Sequence, residues 1–121
     1  MKYSLTQQPL KWHTFVMYLD TIYIEHGSLP KVSKFFSPHS VIDIFRRYLG
    51  DEVLYVDSKI GPFRYVIAAK YLDIYCEDTL FEEKLTIPGS IFVIGKDDFS
   101  LDQEDIDLFF ELVDRELIIT V

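Results

Sequence analysis

The alternation of hydrophobic and polar positions divides the chain into segments of different period. From Leu10 to His26, apolar residues recur at Trp12, Phe15, Val16, Leu19, Ile22 and Tyr23, with Lys11, Thr14, Thr21 and Glu25 opposite. That spacing predicts a helix with Pro9 at its start and Gly27 beyond its end, although the β-branched and aromatic content also suits a strand. After the turn at Ser28-Leu29-Pro30, the stretch from Lys31 to Phe36 reads as one short helical turn. Ser37 as N-cap and Pro38 at the first helical position then open a second helix. Val41, Ile42, Phe45, Tyr48 and Leu49 form its apolar stripe, Arg46 and Arg47 lie in its last turns, and Gly50 stops it.

The middle of the chain reads as β structure. Val53 to Val56 predicts a short strand, Ser58 to Pro62 a turn, and Phe63 to Ala69 a second strand paired with the first. Tyr71 to Cys76 alternates like a half-buried strand, although Pro62 and Ala68-Ala69 leave a helix open over residues 63–76. Glu83 to Ile87, Pro88-Gly89 and Ser90 to Gly95 predict a tight hairpin, Pro-Gly being a strong turn signal. Ser100 and Gln103 form a capping box before the last helix, whose apolar face is Ile106, Phe109, Phe110, Val113 and Leu117. Ile118 to Val121 reads as a terminal strand added to the sheet. Strands grouped in a block predict an α+β fold: two N-terminal helices, a mainly antiparallel sheet of about four to six strands, an acidic amphipathic helix and a short terminal strand.

Composition narrows the class. The chain has 121 residues, 49% of them hydrophobic and 16% aromatic, which predicts one globular domain over residues 1–121 and excludes general disorder. The single Cys76 forms no internal disulfide, the N-terminus lacks a signal-peptide pattern and no long apolar run spans a membrane, so the expected location is the cytoplasm. Charge is unevenly placed. Residues 1–60 carry seven Lys/Arg against six Asp/Glu, whereas residues 61–121 carry five against fourteen. An acidic half repels phosphate backbones and attracts a basic protein. In the last helix, Asp114 and Glu116 sit at the C-terminal end, where the macrodipole disfavours anions.

Familiar catalytic patterns are missing from the sequence. One Cys and three dispersed His (His13, His26, His39) supply no paired zinc ligands, and the five Gly form no phosphate loop. Asp98, Ser100, Asp102 and Glu104 have the rhythm of a calcium loop, but Gln103 and Phe109 occupy the positions that need Gly and Glu. His26, His39 and Lys34 are the candidates for acid/base cleavage of RNA, but nothing sets their mutual geometry. Cys76, beside Glu77 and Asp78, reads as a core residue rather than a nucleophile. The tyrosines are more informative: Tyr55, Tyr65, Tyr71 and Tyr75 fall on predicted strands, where several can face outward, and Tyr with acids suits protein recognition.

In size, acidity and lack of a catalytic motif the chain resembles the small bacterial immunity proteins that block nuclease toxins, and acidic phage-type inhibitors. That resemblance is one of profile, and it implies a non-enzymatic binding protein without cofactor or metal. Its partner would be a basic protein, such as a toxin domain, and neither nucleic acid nor membrane. The expected contact residues are Asp102, Glu104, Asp107, Glu111 and Asp114 on the last helix, with Glu77, Asp78, Glu82, Glu83, Tyr71 and Tyr75. The rival readings are a subunit or adaptor of a larger assembly, pairing through the strand at Ile118, and a small RNase-like enzyme.

Overall fold

A computed structural model describes residues 17–37, 40–71, 84–96 and 100–120. Its elements are β1 (Met17–Ile24), β2 (Lys31–Ser37), α1 (Val41–Leu49), β3 (Val53–Asp57), β4 (Phe63–Ala68), β5 (Leu85–Ile87), β6 (Ile91–Gly95), α2 (Gln103–Asp114) and β7 (Ile118–Thr120). Five strands form an antiparallel sheet in the order β2-β1-β6-β4-β3, while β5 and β7 form a separate two-stranded parallel sheet. The fold is α+β and mainly antiparallel, as the sequence predicts.

The five-stranded sheet is covered on both faces. Leu19, Val66, Phe92 and Ile94 meet Val41, Ile44 and Phe45 of α1 on one face. On the other, Ile22, Ile24, Val56, Phe63, Tyr65, Ile67 and Val93 meet Ile106, Phe109 and Leu112 of α2 and Leu85, Ile87 and Ile118 of the small sheet. Strand β6 is buried at every position, which is why its sequence is an unbroken apolar run. Each fully buried large side chain contributes about 2 kcal/mol, so the two clusters hold the layers together.

Several predicted elements need correction. The helix expected over Leu10–His26 is strand β1 from Met17 onward, and its first residues lie outside the described ones. Strand β1 buries both faces, Leu19 on one and Ile22 and Ile24 on the other, and this double burial imitates helical spacing. Gly27 ends no helix. It takes φ 78 in a turn closed by Ser28 N–H to Glu25 O at 2.8 Å, the glycine position of a type II turn. Lys31 to Phe36 is likewise strand rather than a helical turn, because it completes an antiparallel pair with β1 from Met17↔Ser37 to Tyr23↔Lys31. Only one of the two N-terminal helices therefore exists among the described residues. It is capped by Ser40, not Ser37, which ends β2; Pro38 and His39 lie outside the described residues.

The β3–β4 hairpin forms as expected, from Val53↔Ala68 to Asp57↔Arg64. Residues 69–71 then turn helical, so Tyr71 is not on a strand, and residues 72–83 lie outside the described ones, Tyr75 and Cys76 included. Pro88-Gly89 does not close a hairpin between β5 and β6. It carries the chain from the small sheet to the large one, where a Cβ on Gly89 would stand 2.7 Å from the His26 Cα. The terminal strand exists as β7, but it pairs parallel with β5 instead of joining the large sheet.

Candidate protein-binding face

Helix α2 is placed by its buried side. Ile106, Phe109 and Leu112 turn inward, so Glu104, Asp107, Glu111 and Asp114 turn to solvent as one stripe about 15 Å long. Leu112 is the core residue that the expected apolar face omitted, and Phe110 and Val113 are only half-buried. The N-cap is Asp102, whose Oδ1 accepts the Asp105 N–H at 2.9 Å. Ser100, the predicted cap, is used elsewhere: its Oγ accepts the Asp20 N–H at 3.3 Å, and the Leu101 N–H donates to Asp20 O at 2.8 Å. These two bonds tie the start of α2 to β1.

Two members of the stripe have partners on the helix. Asp107 Oδ1 accepts from Gln103 Nε2 at 2.9 Å, and Glu111 Oε2 pairs with Arg115 at 2.6 Å. Both Glu111 and Arg115 are well exposed, so this pair is worth a few tenths of a kcal/mol and leaves the face acidic. The last helical turn contains no basic residue. Beyond it, Glu116 adopts φ 61, and an open depression of about 260 Å³ is lined by Val113, Glu116, Ile118, Ile119 and Thr120. The acidic stripe thus ends beside an open depression lined by three apolar residues, Thr120 and the Glu116 carboxylate.

The other predicted site residues are more scattered. Glu77, Asp78, Glu82, Glu83 and Tyr75 lie outside the described residues, and Tyr71 is half-buried at the start of a helical segment. Tyr65 does not face outward: it is completely buried and its hydroxyl lies 3.5 Å from Ser58 Oγ. Burial pushes its phenol well above the ordinary tyrosine value, against a smaller opposing effect of that hydrogen bond. Tyr55 remains 39% exposed, and burial is the main cause of its raised pKa. Asp57 is held below the usual carboxylate value chiefly by its hydrogen bond to Arg64, at 2.6 Å across the hairpin.

Of the RNA-cleavage trio, His26 is exposed in the β1–β2 turn and its backbone N–H donates to Ser90 Oγ at 3.1 Å. Lys34 Nζ lies 3.6 Å from Asp20 on the neighbouring strand, and His39 lies outside the described residues. Among the described residues no group of three or more His, Cys, Asp and Glu is placed to hold a metal ion. No helix among them is long and apolar enough to cross a membrane.

One surface is not among those expected from the sequence. Tyr18, Val32 and Phe36 are 65%, 51% and 57% exposed, on strands whose spacing predicts helix. The signal was the alternation of Val32, Lys34 and Phe36, which becomes visible once the segment is read with a period of two. No family model, curated protein or solved structure matches the chain.

Proposed function

We propose that this chain is a cytoplasmic, non-catalytic binding protein that captures and neutralises a basic partner protein, in the manner of an immunity or antitoxin inhibitor of a nuclease toxin. The observation that carries this reading is the exposed stripe Glu104, Asp107, Glu111 and Asp114 on α2, running toward the depression beside Glu116. A preformed helix presents these acids without an ordering cost, and the depression suits the apolar stem of a partner Lys or Arg. The acids steer encounter and block a cationic groove, and both effects weaken as salt rises.

The test begins with capture of partners from extracts of the native cells, washed at low and at high salt. Association rates are then measured against the recovered partner. A single basic partner is expected, with Glu104→Lys, Glu111→Lys and Asp114→Lys together slowing association about tenfold or more at low salt. An unchanged rate with unchanged salt dependence would remove α2 from the interface. A salt-resistant set of partners would instead favour an assembly subunit, for which the short β7 edge is the structural argument.

A further inference from the structure

Strand β2 is the longer edge of the five-stranded sheet, and among the described residues no strand pairs with its outer side. On the sheet face shared with α2 it presents Val32, Lys34 and Phe36 in alternation, since side chains two apart share a face. Val32 neighbours Ile22, which is fully buried under the α2 layer, yet Val32 itself is half exposed. The Phe36 and Tyr18 rings meet edge-to-face at 4.9 Å, and both remain mostly exposed. Single exposed apolar residues are ordinary; three adjacent large ones beside an open strand edge mark an interaction surface.

The inner neighbour of β2 shows what this face accepts. Tyr18, Asp20 and Ile22 of β1 stand opposite Phe36, Lys34 and Val32. An apolar, acidic, apolar series thus faces an apolar, basic, apolar one, with Lys34 and Asp20 3.6 Å apart at the centre. A strand added on the outer side meets the same three side chains. We infer that the open edge of β2 binds an extended segment of a partner protein in which an acid lies between two apolar residues, each two positions away, by strand addition. Backbone hydrogen bonds supply the affinity and the alternating side chains the selection.

Charge argues against a second copy of this chain as the occupant. Two β2 strands paired antiparallel, with Val32 against Phe36, set Lys34 against Lys34, and like charges directly opposite destabilise a pair. In that register the lysine disfavours self-pairing and favours an acid. This inference is independent of the α2 face.

The probe is a capped peptide of sequence Thr-Tyr-Thr-Asp-Thr-Ile-Thr, titrated into the isotope-labelled full-length protein, with a control peptide carrying Lys in place of the Asp. Amide shifts along residues 31–37 are expected, with the Asp peptide binding about fivefold tighter than the Lys peptide. Lys34→Glu should reverse that preference while leaving the apolar contacts in place. The proposal fails if neither peptide shifts β2, or if both bind equally to the protein and to its Lys34→Glu variant. It also fails if the β2 edge amides are already protected without peptide. Protection in a dimer would identify a second copy as the occupant, and protection in a monomer the chain's own residues.

Discussion

Glu116 is disfavoured twice by its position. Helix α2 ends in a Schellman arrangement, with Leu117 N–H donating to Leu112 O and Glu116 N–H to Val113 O, both at 2.9 Å. That motif wants glycine where Glu116 takes φ 61, and an anion there also opposes the macrodipole. Glu116→Gly should therefore stabilise the fold by about 1 kcal/mol, read as a higher urea midpoint, whereas Glu116→Gln should recover only a few tenths. Gly61 is the opposite case. It takes φ 74, and a Cβ on it would lie 2.6 Å from a ring atom of Phe63, which is fully buried and has no room to retreat. Gly61→Ala should cost about 2 kcal/mol; a variant as stable as the parent would show that the turn relaxes freely. The misplaced acid at Glu116 was legible in the sequence, because charge near a helix end needs no coordinates. Its left-handed backbone was not, since glutamate gives no hint of φ.

At the level of elements, α1 and α2 were legible because each has one buried face and clear stops, and the β3–β4 hairpin because a turn rich in Gly and Pro separates two β-branched, aromatic runs. The cap expected at Ser100 lies instead two residues further on, at Asp102. Ser100 and Asp102 both suit an N-cap, and the choice falls to Asp102 because β1 takes the Ser100 hydroxyl. Asp102→Ala should cost about 1 kcal/mol and speed amide exchange at Asp105. Ser100→Ala should instead loosen the Asp20 amide on β1. Faster exchange at Asp105 in the Ser100 variant would show that the cap had been misassigned. Strand β1 reads as a helix for a physical reason. A strand buried on both faces loses its polar alternation, and the remaining apolar positions then fit a helical period by coincidence.

At the scale of the whole molecule, aromatic abundance has a structural use that composition alone concealed. Tyr23, Phe35, Phe45 and Tyr48 surround Phe92 with centroid distances of 4.7 to 5.6 Å, so five rings serve the α1 layer. Tyr65 serves the opposite layer, and Tyr23, Tyr55 and Tyr65 all have pKa values raised mainly by burial. The sign of the pH dependence follows. In the unfolded chain tyrosine ionises near pH 10, while in the fold these phenols resist ionisation. Their contribution is therefore intact below about pH 10 and is lost as the pH rises beyond it. Tm should stay level through mildly alkaline pH and then fall, more gently in Tyr65→Phe than in the parent. Because the Tyr65 hydroxyl lies a long 3.5 Å from Ser58, that variant should lose only about 1 kcal/mol at neutral pH. Equal alkaline slopes in the two proteins would show that Tyr65 ionises as freely in the fold as outside it.

The α+β class, the central hairpin, the amphipathic acidic helix and the asymmetry of charge are written in the order of the residues alone. These are local properties of period, turn chemistry and residue type. Packing between distant segments makes β1 and β2 strands, takes β5 and β7 out of the main sheet to pair with each other, and turns Tyr65 inward. Those outcomes depend on which distant segments lie beside each strand. The exposed edge at Val32, Lys34 and Phe36 belongs with them, because an edge exists only once the order of the strands is set.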